Sequence, residues 1–199
     1  MTPRTPTENQ RIRDERREQL LAAAAQVFAR KGLAATKIAD VAAAAGISHG
    51  LVYHYFPSKE ELFAALVEQI MNGAVWVAQA ASGQPGTPVE RLHWMLSMML
   101  MGMEQQPEFF LVMIQAVTSE AVPASARQMA MQQAAISRES VTQLIAEAQA
   151  AGELRQGSAT HLALILLSAI QGFAIGMATG DSVTRDLPDA QTMLAILKP

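Results

Sequence analysis

Apolar positions return every three or four residues along most of the chain, and turn-forming residues cut that rhythm into segments. Ile12, Leu20, Leu21, Ala24, Val27 and Phe28 mark one stripe, which predicts an amphipathic helix over residues 10–31 with Gly32 as its stop. Ahead of it, residues 1–9 are polar and rich in Pro and Thr, and predict a disordered arm. Thr36 is placed to open a second helix as its N-cap, carried by Ile38, Val41 and Ala42 and ended by Gly46. Ser48 is placed to cap a short third helix to about residue 55, where Pro57 breaks the pattern. The run Ser58-Lys59-Glu60-Glu61 has the form of a capping box, so a long fourth helix is expected to about residue 81.

Residues 82–87, reading SGQPGT, form a turn cluster. Five more helices are predicted over 88–105, 107–119, 124–151, 158–179 and 188–197, set off by Pro88, Pro107, Pro123, Gly152 and Pro188. Aromatic residues make up only 5% of the 199, and strong helix formers such as Ala, Leu, Met, Gln, Glu and Arg dominate. The expected fold class is all-α, with about nine helices. Near Gly73, inside the fourth helix, charged patterning gives way to apolar patterning. This suggests a domain over 10–74 and another over 75–199, with one helix shared between them as a mechanical link.

Charge sharpens this division. The chain carries a net −3, but residues 1–37 carry +4 and residues 76–199 carry −4. A cationic front on an anionic body fits an electrostatic footprint at one end, although a solvated helix face would look similar. With no cysteine, disulfides, thiolate nucleophiles and sulfur-ligated zinc are excluded together. The N-terminal segment has no apolar run of the kind a secretory signal requires, so a cytoplasmic location is expected.

The second and third helices, 36–45 and 48–55, are separated only by Gly46 and Ile47. A glycine there takes a positive φ cheaply, and Ile47 can plug the corner. This is the pattern of a helix-turn-helix, which lays its second helix in the major groove of double-stranded DNA. Ser48, His49 and Gly50 open that helix, and Tyr53, His54 and Tyr55 add groups that reach phosphates or base edges. Thr36, Lys37 and Lys59 lie at helix N-termini, where backbone N–H groups attract phosphate. Phe56 reads as core.

The stretch RREQLLAAAAQVFARKGLAATKIADVAAAAGISHGLVYHYFPSKEELFAALV resembles the DNA-binding domain of the TetR/AcrR family of bacterial transcriptional regulators. The resemblance covers about residues 14–67. It rests on an ordered set that includes Ala24, Phe28, Gly32, Thr36, Ile38, Ala39, Ala42, Ala45-Gly46-Ile47-Ser48, Gly50, Tyr53, Tyr55-Phe56, Lys59, Glu60 and Leu62. It implies that Thr36 meets phosphate at the start of the second helix and that Ser48, His49, Gly50 and Leu51 face the groove. Tyr53 and His54 would hold the DNA backbone, and Lys59 would bind phosphate. His49 stands where the family varies, so the operator sequence does not follow from it. The resemblance further implies a dimeric repressor that reads a palindromic operator, with a divergent helical body that binds an effector and dimerises.

In that body, residues 159–179 have the length and apolarity of a membrane span, yet they include His161 and Gln171 and lack flanking cations. A buried helix is the preferred reading. Ser168, Gly172, Gly176 and Gly180 form a row of small residues, assigned to a homodimer interface. Methionines crowd the fifth helix at Met95, Met98, Met99, Met101 and Met103, with Met113, Met129 and Met131 beyond. Ordinary core, a plastic apolar pocket and a Cu(I) thioether site all remain open readings. The expected effector pocket comprises His93, Trp94, Met98, Met101, Phe110, Met113, Gln115 and Gln171. No enzyme is expected: two of the four histidines fall in the DNA motif, the other two are isolated, and there is no phosphate-cradling glycine loop. No cofactor or metal site is expected either. The alternative to a ligand-released repressor is an accessory DNA-binding factor with a filled core, and cavity volume separates the two.

Overall fold

The computed structural model describes residues 6–179 and 186–198, and these residues form nine α-helices without a strand among them. In chain order they are α1 (Pro6–Ala35), α2 (Ile38–Ala45), α3 (His49–Tyr55), α4 (Lys59–Ser82), α5 (Pro88–Gln105), α6 (Pro107–Thr118), α7 (Ala124–Ala150), α8 (Ala159–Thr179) and α9 (Ala190–Ala195). Of the arm expected to be disordered, residues 1–5 lie outside the described residues, while Pro6 onward is helical. Local pairs one turn apart support the exposed first turns of the helix. Gln10 Nε2 donates to Asp14 Oδ1 at 2.8 Å, and Arg11 pairs with Glu15.

Helix ends follow the capping chemistry closely. Ser58 Oγ accepts from the Glu61 N–H at 3.1 Å and starts α4. Thr87 and Glu90 exchange bonds at the head of α5, with the Thr87 N–H donating to Glu90 Oε2 at 2.8 Å. Asp189 Oδ1 accepts from the Thr192 N–H at 2.7 Å and caps α9. That bond holds the Asp189 carboxyl below its ordinary value.

Two apolar cores organise the helices. The first centres on Phe28 and Phe63, both fully buried, whose rings meet edge to face at 5.0 Å. It gathers Leu20, Leu21, Val41, Val52 and Phe56 from α1–α3 and their flanks, and Leu62 to Met71 from α4. It also takes Val112 and Ala116 from α6, and Ala126 and Ala130 from α7. The second core begins further along α4 at Ala78 and Ala81, and joins it to α5, α7, α8 and α9. The helix α4 therefore passes from one core to the other between Met71 and Ala78.

One face of α8 belongs to the second core through Leu162, Ala163, Leu166, Ile170 and Ala174. The other face is open: Leu164, Ile165, Ser168, Gly172 and Ile175 are exposed at helical spacing. The helix is long and apolar enough to cross a membrane over Ala159–Met177, and only 28% of that stretch is buried in the protein. Gly176 has a contact of its own, and Gly180 lies outside the described residues.

Candidate nucleic-acid interface and ligand cavity

The turn between α2 and α3 is built by backbone bonding. Gly46 sits at φ +64°, and its N–H donates to the Ala43 carbonyl at 3.2 Å, while the Ile47 N–H reaches the Ala42 carbonyl at 3.0 Å. This paired closure satisfies carbonyls that the end of α2 leaves without partners, and it turns the chain sharply into α3. Ser48 Oγ then accepts from the Leu51 N–H at 3.3 Å and caps the new helix. Its hydroxyl proton remains available to a partner outside the protein.

Val52 is fully buried and anchors α3 on the first core, and Phe56 follows it inward. The opposite face carries His49, Gly50, Tyr53 and His54, all exposed, with Leu51 half-buried at the edge. Tyr53 is 46% exposed, and its ring stands edge to face with His49 at 4.9 Å. His54 makes a similar contact with Tyr55 at 5.5 Å. A Cβ built on Gly50 would meet nothing within 4 Å, so internal packing does not demand glycine there. Arg17 stacks over the Phe56 ring at 5.3 Å and closes the outer edge of the core.

The helix N-termini differ from expectation in two places. Thr36 does not cap α2. It is 1% exposed, and its hydroxyl donates back to the Gly32 carbonyl at 2.7 Å. Gly32, at φ +72°, breaks α1 before its last turn and frees that carbonyl. The cap position falls on Lys37, whose N–H donates to Asp40 Oδ2 at 3.0 Å and whose side chain stays exposed. The Lys31 ammonium bonds the other Asp40 oxygen at 2.9 Å. Together, with Lys31 the larger influence, they hold the Asp40 carboxyl below its ordinary value. Its contribution to the α1–α2 junction is complete above the ordinary carboxylate value and is lost as pH falls through the depressed one.

Lys59 is the second place. Its ammonium donates to the carbonyls of Leu33 at 3.0 Å, Ala34 at 3.0 Å and Thr36 at 3.1 Å. All three protons are used, at the carbonyl-rich end of α1 where the helix dipole favours a cation. Lys59 therefore bolts the first turn of α4 to the end of α1, and its ammonium protons are taken up within the chain. Lys59→Met should lower stability by about 1–3 kcal/mol, read by urea unfolding. It should leave the salt dependence of DNA binding unchanged, because that slope counts neutralised phosphates. A shallower salt slope with unchanged stability would restore the phosphate role.

The body encloses a cavity of about 600 Å³ between α4, α5, α6, α7 and α8. Of the residues assigned to an effector pocket, Met98, Met101, Phe110, Met113 and Gln171 line it. His93, Trp94 and Gln115 do not. His93 is exposed on the outer side of α5, and Trp94 packs against the second core. Gln115 turns away toward α1, where its Nε2 donates to the carbonyls of Phe28 at 3.1 Å and Ala29 at 3.3 Å. Sequence reasoning missed Trp76 and Gln69 on α4, Gln105 and Gln106 at the end of α5, Phe109 on α6 and Ser137 on α7. The available signal was a pair of glycines inside helices, Gly73 and Gly102, both of which line the cavity.

Residues 20–66 match the family described as bacterial regulatory proteins, tetR family. Over 73 residues the chain is 44% identical to the HTH-type transcriptional repressor KstR2 of Rhodococcus jostii, covering 37% of this chain and 33% of that one. Over 68 residues it is 41% identical to the HTH-type regulator YfiR of Bacillus subtilis, covering 34% and 32%. The match thus spans about a third of the length of these curated relatives. Solved structures extend the likeness of fold across the body. The ketosteroid transcriptional regulator KstR2 of Mycobacterium tuberculosis superposes with a TM-score of 0.74 at 19% identity, covering 92% of this chain and 95% of that one. PfmR of Thermus thermophilus gives 0.73 at 22%, covering 89% and 93%. Residues 20–66, which hold the helix-turn-helix, are thus similar to the tetR family of bacterial regulatory proteins, and the fold of the rest resembles that of these solved regulators.

Proposed function

We propose that this chain is a dimeric transcriptional repressor, released from a palindromic DNA operator when a small, largely apolar effector enters the body. The observation that carries the reading is the cavity, about 600 Å³ and walled in part by α4. That volume falls in the range of small-molecule sites. It weighs against an accessory factor with a filled core. The helix α4 also begins at Lys59, which is bolted to α1 beside the DNA-reading helices. A ligand that prefers one tilt of α4 would move the reading head with it. A second route runs through α6, whose Phe110 and Met113 line the cavity and whose Gln115 grips α1.

In this reading α3 enters the major groove with His49, Gly50, Leu51 and the Ser48 hydroxyl toward bases, while Tyr53, His54 and Lys37 meet the DNA backbone. The open face of α8 around Ser168, Gly172 and Gly176 meets its copy in a second chain. The experiment is selection of bound duplexes from a random pool, followed by a ligand screen for release. Enrichment of an inverted repeat supports the reading; no enrichment over input sinks it. Tyr53→Ala should weaken operator binding about tenfold, the scale of one lost charge-assisted contact, with thermal stability unchanged because the side chain is largely outside the core. Unchanged affinity in a titration would remove Tyr53 from the interface.

A further inference from the structure

The cavity wall has a chemical character that narrows what it can hold. Among the described residues, its lining includes no Asp, Glu, Lys, Arg or His. The polar groups are the amides of Gln69, Gln105, Gln106 and Gln171 and the Ser137 hydroxyl, set among Met, Trp, Phe and aliphatic side chains. An ion moved into such a space loses its hydration and gains no counter-charge, whereas a neutral oxygen or nitrogen finds donors and acceptors.

Ser137 adds an independent observation. Its Oγ is buried and has no hydrogen-bond partner among the described residues. A serine inside a helix usually satisfies itself on the carbonyl four residues back. Two neighbours on α7 do so: Ser140 donates to Ile136 at 3.2 Å, and Thr142 to Arg138 at 2.9 Å. Ser137 does not, although it faces the same option. A buried polar atom left without a partner calls for an explanation, and a ligand group in the adjoining cavity supplies one.

Space and access are also built in. A Cβ on Gly102, inside α5, would meet nothing within 4 Å, so glycine there weakens the helix and leaves room in the cavity. Trp76 and Met101 line the cavity and are nevertheless 60% and 43% exposed. They mark its mouth, between α4 and α5.

We infer that the effector is electrically neutral: an apolar molecule carrying an uncharged hydroxyl, carbonyl or amine that pairs with Ser137, admitted past Trp76 and Met101. This rests on the ligand-cavity reading of the preceding section and adds charge selectivity to it. Carboxylates, ammonium compounds and phosphorylated carriers are excluded as deeply bound groups.

The test uses the full chain and two dyes on the same anilinonaphthalene skeleton, neutral N-phenyl-1-naphthylamine and anionic 8-anilino-1-naphthalenesulfonate. Fluorescence titration should show the neutral dye binding at least about tenfold more tightly, since only the anion buries a charge. In competition at neutral pH, 1-decanol should displace the neutral dye at least about tenfold better than decanoate or decylammonium. Ser137→Ala should weaken 1-decanol about three- to tenfold, the value of one hydrogen bond, with operator binding retained. Gly102→Phe should abolish dye binding while operator binding persists. The wild-type competition decides the charge question without either variant. Binding with no preference for the neutral member of each set overturns this inference and leaves the cavity reading intact. Failure of both neutral probes to bind the wild-type protein overturns the cavity reading, and this inference with it.

Discussion

Phe28→Ala is expected to cost about 3–5 kcal/mol of folding stability, which is a large share of the 5–15 kcal/mol typical of a domain. The ring is fully buried in the first core and lies edge to face on Phe63 at 5.0 Å. Truncation removes the transfer energy of the ring and leaves a void that α1 and α4 cannot close without breaking other contacts. One of those contacts is Lys59 on the carbonyls of Leu33, Ala34 and Thr36, which fixes the distance between the two helices. The backbone of Phe28 also accepts from Gln115, so loosening α1 strains its tie to α6. Urea unfolding measures the effect, and Phe28→Leu should recover more than half of it. A loss below about 1 kcal/mol would mean that the head relaxes around the void, contrary to the packing described.

The second large effect concerns α8. Leu164→Glu combined with Ile165→Glu should convert the proposed dimer to a monomer in sedimentation. Operator affinity should fall by about 10²–10⁴-fold, because a linked second half-site acts at high effective concentration. Leu164 and Ile165 are 44% and 48% exposed, and Ile175, further along the same face, is 49% exposed. A Cβ on Gly172 would meet nothing within 4 Å, so the glycine serves no packing within one chain. A face of this kind on a helix otherwise rooted in the second core asks for a cover, and in the proposed dimer an isologous contact with a second copy would provide one. Two glutamates there place four like charges in the contact of a symmetric pair, while either chain alone exposes them to water. Unfolding of the variant should therefore change little. A sedimenting dimer that still binds its operator would move the interface elsewhere.

The reading head was legible because its signals are local. Gly46 and Ile47 between two short apolar helices define a turn that needs no distant partner, and Ser48 caps the next residues in sequence. The intrachain partners of Thr36 and Lys59 were not legible for the opposite reason. Their hydroxyl and ammonium have capping and phosphate-binding chemistry, but each is engaged by carbonyls at the end of α1. For Lys59 those partners lie 23 to 26 residues away in sequence. Composition identified the Met-rich wall of α5 yet could not place its register against four other helices. Met98 and Met101 consequently fall on the cavity, while His93 lies on the outer side. Gln115 had the chemistry of a pocket residue and a position near one, and only the packing of α6 on α1 reveals it as a tie. Ser137 carried no sequence signal at all. Its interest lies in a bond that it does not make.

The recruitment of Val112, Ala116, Ala126 and Ala130 into the first core bears on how such proteins can be recombined. A graft of this reading head onto a foreign sensor, cut along the chain at residue 74, would strip away the part of its core that α6 and α7 provide. The transferable unit is a surface patch of the body together with the head, not a length of sequence. Chimeras that carry over those four positions and Gln115 keep the socket in which the head sits. Chimeras that omit them inherit a reader with one wall missing.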